Sequence, residues 1–99
     1  MKIDPDAITL EDGGTRGRYV YRLNGAEAEM TFSKAEEDRL WIVDHTGVPE
    51  SLGGQGIGTA LATRAVVDAR AAGHKILPLC SFVAEQFRRH PEWSDVLNA

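Results

Sequence analysis

Two features of this chain could do chemistry: the glycine-rich segment Gly53-Gly54-Gln55-Gly56-Ile57-Gly58 and a single cysteine, Cys80. Glycines ahead of a helix let backbone approach an anion closely, and the first N–H groups of the helix then donate to it with the helix dipole in support. The segment is not a Walker A loop, because Gly58-Thr59 lacks the lysine that such a loop needs. It is not a dinucleotide fingerprint either. Counted from Gly54 the sixth position is Thr59, and counted from Gly56 it is Leu61, where that pattern needs Gly or Ala. What the segment keeps is the context of strand, glycine turn and helix.

Cys80 ends an apolar run and stands just before a predicted helix, where the dipole favours thiolate. Such a thiol can serve as acid or base, or take an acyl group. It can equally be a buried, inert thiol filling core space. His45 precedes the glycine segment and has the pKa range to relay a proton; the alternative is a hydrogen-bonded histidine fixing a strand end. His74 reads as surface, and His90 as a helix C-terminal cap. Three histidines without a helical H-x-x-x-H spacing give no case for a metal.

The elements that must position these residues fall into two halves. A possible edge strand, Ala7 to Leu10, is followed by a loop from Asp12 to Gly17. Arg18 to Leu23 alternates, with Tyr19, Tyr21 and Leu23 on one face. Asn24-Gly25 follows, a type I′ hairpin signal, because both residues tolerate positive φ. Then Ala26, Ala28, Met30 and Phe32 face one way, while Glu27, Glu29 and Thr31 face the other. Glu36-Glu37-Asp38-Arg39 reads as a solvated turn. Leu40 to Val43 is apolar on both faces, which places it inside the sheet.

The second half predicts a helix from about Gly58 to Ala72, with Ile57, Leu61, Ala65, Ala69 and Ala72 as its apolar stripe. Gly73 sits where a left-handed cap belongs. Lys75 to Leu79 reads as a buried strand. Ser81 can N-cap a helix from Phe82 to about Arg89, which Pro91 stops. Trp93, Val96 and Leu97 then pack back on the sheet. The predicted fold is an α/β, mixed-sheet α+β arrangement: antiparallel hairpins joined to one right-handed βαβ crossover and a C-terminal helix.

Val48-Pro49-Glu50-Ser51-Leu52-Gly53-Gly54-Gln55-Gly56-Ile57-Gly58-Thr59-Ala60-Leu61 resembles motif A of the GNAT superfamily of acyl-CoA N-acyltransferases. His45-Thr46-Gly47-Val48-Pro49-Glu50, Pro78-Leu79-Cys80-Ser81-Phe82-Val83 and Arg89-His90-Pro91-Glu92-Trp93 are similar to the minimal single-domain subfamily of that superfamily. The resemblance implies acetyl-CoA as co-substrate, with its pyrophosphate on the backbone N–H groups from about Gly53 to Gly58. Its pantetheine arm would lie between the splayed ends of the Leu40 and Lys75 strands. The coenzyme-binding set so implied is Val48, Gly53, Gly54, Gln55, Gly56, Ile57, Gly58, Thr59, Phe82 and Arg88. Thr59 offers a hydroxyl to a phosphate or is an ordinary exposed helix residue. Arg88 and Arg89 reach the phosphates or are simply solvated.

The same resemblance implies Cys80 beside the acyl thioester, and Cys80 with His45 forms the expected catalytic set. Two departures stand out. Gly53 occupies the place of the superfamily's usual Arg or Gln, which removes a side-chain contact to the phosphates. Phe87 or Arg88 falls where many members carry a tyrosine that protonates the leaving thiolate. The usual pair of helices between the first two strands is also absent, since Asn24-Gly25 turns the chain directly. The acceptor side is therefore expected to be open, suiting a protein or peptide amine as well as a small amine. The competing reading is an acyl-CoA-binding or interaction module without turnover.

Composition is consistent with this. Ninety-nine residues make one expected domain, and 42% hydrophobic with 26% charged residues is ordinary for a folded chain. A net charge of −4 argues against non-specific binding to nucleic acid or an anionic membrane. The first ten residues lack the apolar core of a signal peptide, and no run approaches the ~20 apolar residues of a membrane span. One cysteine excludes an intrachain disulfide framework. A cytoplasmic setting is the expectation.

Overall fold

A computed structural model describes residues 3–98. Strands β1 (Thr9–Asp12), β2 (Arg16–Leu23), β3 (Ala26–Ala35), β4 (Leu40–Gly47) and β5 (Lys75–Pro78) form one sheet in the order β1-β2-β3-β4-β5. The first four are antiparallel neighbours. β4 and β5 run parallel, joined through helix α1 (Ile57–Ala72). Helix α2 (Ser81–Arg89) and a 3-10 segment (Pro91–Val96) follow. This is the expected mixed sheet of hairpins attached to a strand–helix–strand unit.

Local chemistry explains the turns. Asn24 (φ 52°) and Gly25 (φ 80°) both take positive φ, which matches the right-handed twist of the strands they join. Glu36, Glu37 and Asp38 form the exposed β3–β4 turn with three successive left-handed residues, closed by Arg39 N–H donating to the Glu36 carbonyl at 3.1 Å. Gly73 caps α1 at φ 85°, its N–H donating to the Ala69 carbonyl. The first strand begins two residues later than expected. Pro5–Ala7 forms a 3-10 turn instead, capped by the Asp4 carboxylate, which accepts from Asp6 N–H at 2.9 Å.

One face of the sheet carries the core. Tyr19, Ala28, Met30, Phe32 and Val43 are buried there against Ile57, Leu61, Ala65 and Ala69 of α1. The predicted stripe of α1 holds except at Ala72, which is exposed at the helix end. The small alanines of α1 are strong helix formers and let the helix lie close to the sheet. Tyr19 crosses that interface, its hydroxyl donating to Asp68 at 2.8 Å. Trp93 and Val96 are buried, and Leu97 bridges to Ile76.

His74 is a correction. It is buried at 4% exposure, not on the surface, and stacks on Trp41 with ring centroids 4.0 Å apart. Trp41 stacks in turn on Phe32 at 4.4 Å. The left-handed cap at Gly73 reverses the chain and drives the following side chain inward. Burial holds the His74 imidazole below its ordinary value. The fold therefore carries it neutral, while the unfolded chain protonates it as pH falls through ~6.5. Stability is expected to decline from that pH downward. In His74→Phe, which keeps the stack without titrating, thermal melts across pH 5 to 8 should show a shallower decline.

Candidate active site

The site starts where two parallel strands part. β4 and β5 pair from Leu40↔Lys75 to Val43↔Pro78, and the pairing stops there. The Val43 carbonyl accepts both Leu79 N–H at 2.9 Å and Cys80 N–H at 3.0 Å. β4 continues to Gly47 with β3 as its neighbour, while the other chain turns away into α2. The gap that opens is the one expected between the Leu40 and Lys75 strands.

Cys80 stands at the head of this gap as the N-cap residue of α2. The predicted cap, Ser81, is instead the first helical residue, and no side chain caps the helix. The Cys80 Sγ lies 3.5 Å from Thr46 Oγ1. Burial pushes the thiol up. The Thr46 hydroxyl and the backbone N–H groups of Val83, Phe82 and Thr46, all directed at the sulfur, more than offset this, and the net displacement is downward.

His45 does not join Cys80. A β-bulge between Thr31 and Phe32 shifts the register of β3 and β4, so that Phe32 faces Val43 while Thr31 faces His45 and Met30 faces Thr46. Asp44 is the extra residue, and it accepts from the Thr31 hydroxyl at 2.6 Å. Simple alternation from Val43 would turn His45 toward the helices. The bulge inverts that parity. Thr46 shares the helix-covered face with Met30, and His45 shares the open face with Thr31 and Glu29. The His45 side chain is 60% exposed, with Nε2 3.9 Å from a Glu29 carboxylate oxygen. Thr46, which meets Cys80, is a residue of this candidate site that sequence reasoning missed. A threonine beside a histidine on a strand carries no signal until the bulge is known.

The glycine segment lies next to this gap. After β4, Glu50–Leu52 forms a 3-10 turn that consumes the Gly53 N–H, which donates to the Glu50 carbonyl at 3.0 Å. Gly53 is therefore outside the donor set. Gly54 (φ 77°) and Gly56 (φ 75°) take left-handed conformations that other residues rarely adopt, and a Cβ on either would meet only open space. The first backbone bond of α1 runs from Ala60 N–H to the Gly56 carbonyl at 3.0 Å. Among the described residues, the N–H groups of Gly54, Gln55, Gly56, Ile57, Gly58 and Thr59 have no protein acceptor. This is the donor array that an anion, such as a diphosphate, requires.

Gly58 has a further reason to be glycine. It is buried, and a Cβ there would come within 2.7 Å of the Phe82 ring. Phe82 lies in the first turn of α2, so this contact sets the starts of the two helices side by side. The remaining predicted residues lie elsewhere. Val48 lines a depression on the open face with Arg18, Glu27 and Glu29. Arg88 is held by Glu85 (Nε to Oε1 3.1 Å), as is Arg89 (3.2 Å), in the last turn of α2 and so about two turns from Cys80. His90 stacks on Trp93 at 4.1 Å.

The family model for the GCN5-related N-acetyltransferase matches residues 18–96. The chain belongs to that family. A GCN5-like protein from Staphylococcus aureus, with a structure determined by NMR in solution, is 30% identical and superposes with a TM-score of 0.68. The alignment covers 94% of this chain and 90% of that one. Membership places this acetyltransferase-family chain among acyl-transfer enzymes, on the GNAT-like fold the resemblance implied. No helix among the described residues is long and apolar enough to cross a membrane, and no three metal-ligating side chains gather among them.

Two outcomes check the geometry. Gly58→Ala should lose ~1–3 kcal/mol of stability in denaturant titrations, the usual range for overpacking, and a Phe82→Leu change should recover much of it. The rate of Cys80 alkylation by iodoacetamide should reach its half-maximum below the ~8.5 of an ordinary thiol, and Thr46→Val should move it upward.

Proposed function

We propose that the protein moves an acetyl group from acetyl-CoA to an amine, with Cys80 as the acyl acceptor in the first half of the reaction. The observation that carries this reading is the position of Cys80: a thiol displaced toward thiolate by four donors, at the head of the gap where β4 and β5 part. The glycine segment fits the coenzyme because its donor run from Gly54 to Thr59 has no protein acceptor among the described residues. Those N–H groups bind the diphosphate, and Thr59, exposed in the first turn of α1, adds its hydroxyl. Phe82 flanks the arm that runs toward Cys80. Backbone donors take the place of the Arg or Gln that Gly53 replaces.

The Cys80 thiolate attacks the thioester carbonyl. A new C–S bond forms to Cys80, the bond to the coenzyme sulfur breaks, and the coenzyme leaves as a thiolate that takes a proton from water. A neutral amine then attacks the acyl-cysteine, the amide C–N bond forms, and Cys80 departs as thiolate. A sulfur that leaves as a stabilised thiolate needs no tyrosine to protonate it, which accords with Phe87 or Arg88 at the tyrosine position. The attacking amine sheds its proton to water, because the expected base, His45, lies on the opposite face of the sheet from Cys80.

Coenzyme release with a panel of amines (lysine peptides, N-terminal peptides, polyamines) tests this directly. The wild type should turn over at least one class, and intact mass of protein incubated with acetyl-CoA alone should show one acetyl adduct, absent in Cys80→Ala. Turnover in Cys80→Ala should fall by on the order of a hundredfold or more. An adduct without turnover for any amine would favour the binding-module reading. Unchanged turnover in Cys80→Ala would remove Cys80 from the chemistry.

A further inference from the structure

A pocket at the far end of α1 from the glycine segment is not used by any step above. It encloses about 440 Å³, within the ~300–1,000 Å³ of small-molecule sites. Arg64, Asp68, Ala71 and Ala72 form its helical wall and recur at the spacing of one side of α1. Leu10 of β1 and Trp41 of β4 line it from the sheet, and His74 completes the lining. Ala71 stands about 20 Å along the helix axis from Gly58, so the pocket is separate from the gap at Cys80.

Two nitrogens single this pocket out. Trp41 Nε1 and His74 Nε2 are the two buried side-chain polar atoms that have no hydrogen-bond partner among the described residues, and both belong to its lining. The residues that bear them are deeply buried, at 9% and 4% exposure. Their rings are nearly parallel (10°) with centroids 4.0 Å apart, and Phe32 stacks on Trp41 as well at 4.4 Å. The stack fixes where the nitrogens stand. Buried polar atoms are ordinarily paired, because each one left alone forfeits the hydrogen bond it makes in water. An indole N–H can only donate. An imidazole nitrogen that burial keeps uncharged gives or takes one bond according to tautomer.

The charges at the pocket are already paired. Arg64 Nε donates to the two Asp68 carboxylate oxygens at 3.2 and 3.1 Å, and its Nη1 donates to the Pro5 and Ile8 carbonyls. Asp68 also accepts from the Tyr19 hydroxyl. A carboxylate or an ammonium would find no free counter-charge here, whereas Leu10, Trp41 and the two alanines offer apolar contact. The fitting occupant is uncharged, with an apolar body and one group that both accepts and donates. We propose that this pocket is a second binding site, for a small neutral molecule whose carboxamide or lactam group accepts from Trp41 Nε1 and pairs with His74 Nε2.

The Trp41 indole N–H resonance tests this, with that of Trp93 as the internal reference. Titration with benzamide or caprolactam should move the Trp41 signal saturably and leave the Trp93 signal in place. Benzoate, which carries a carboxylate where benzamide carries the amide, should bind about tenfold more weakly or worse. Ala71→Leu combined with Ala72→Leu fills the pocket from the exposed end of α1 with a good helix former, and should weaken both amides by about tenfold or more. A Trp41 signal unmoved by both amides overturns the site. Equal binding of benzoate overturns the proposed ligand class. Full affinity in the double-leucine protein places the amides elsewhere and overturns the site too. The wild-type titration decides even where that variant fails to fold, and its outcome is independent of whether the protein binds acetyl-CoA.

Discussion

The double use of the Val43 carbonyl organises the molecule. In a continuing parallel ladder it would take one N–H from its neighbour and pass the pattern on. Here it takes two in succession, from Leu79 and Cys80, and the second strand has no ladder left to follow. The chain then turns into α2 with Cys80 at its cap, and β4 runs on with one flank unpaired. The opening in the sheet, the placement of the thiol and the direction of the helix dipole at the thiol all follow from this one acceptor. Buried backbone groups must find partners, so the four β4 residues beyond Val43 leave polar groups that water or a bound chain can satisfy.

The second constraint is the approach of two helix starts. Phe82 lies against Gly58 where no side chain fits, so the amide donors of both first turns gather beside the gap where β4 and β5 part. One set meets sulfur, the other meets no protein atom. An acidic chain with net charge −4 thereby presents a local cluster of positive backbone dipoles without a basic side chain in it. Because α1 lies on α2 through a glycine and on the sheet through alanines, the donors are held by main chain and do not depend on side-chain rotamers.

Much of this was legible from residue order. Asn24-Gly25, the alternation from Ala26 to Phe32, the glycine cap at Gly73 and the apolar Leu40 strand each state their structure through short-range sterics or period. The glycine segment and Cys80 were legible as chemistry for the same reason. What was not legible depends on register and on long-range packing. The extra residue at Asp44 changes which of His45 and Thr46 meets Cys80, and nothing in that dipeptide announces a bulge. Gly53 reads as a donor until its N–H is found committed to Glu50. His74 follows a glycine cap and looks polar and exposed; its stack on Trp41 involves partners more than thirty residues away in the chain. Ser81 is the better capping type, but the turn at Val43 places Cys80 in that position first.

Leu97 and Asn98 lie along the far border of the sheet. Leu97 bridges to Ile76, and Asn98 N–H donates to the Ile76 carbonyl at 2.9 Å, so β5 does not offer a bare row of amides to a neighbour. On the opposite border β1 is four residues long and ends in Glu11 and Asp12. A small protein with a deliberately interrupted sheet risks sticking to itself strand against strand. Here one rim is bridged at Ile76 and the other is short and charged, so the interruption inside the sheet can stay exposed without inviting fibrous assembly.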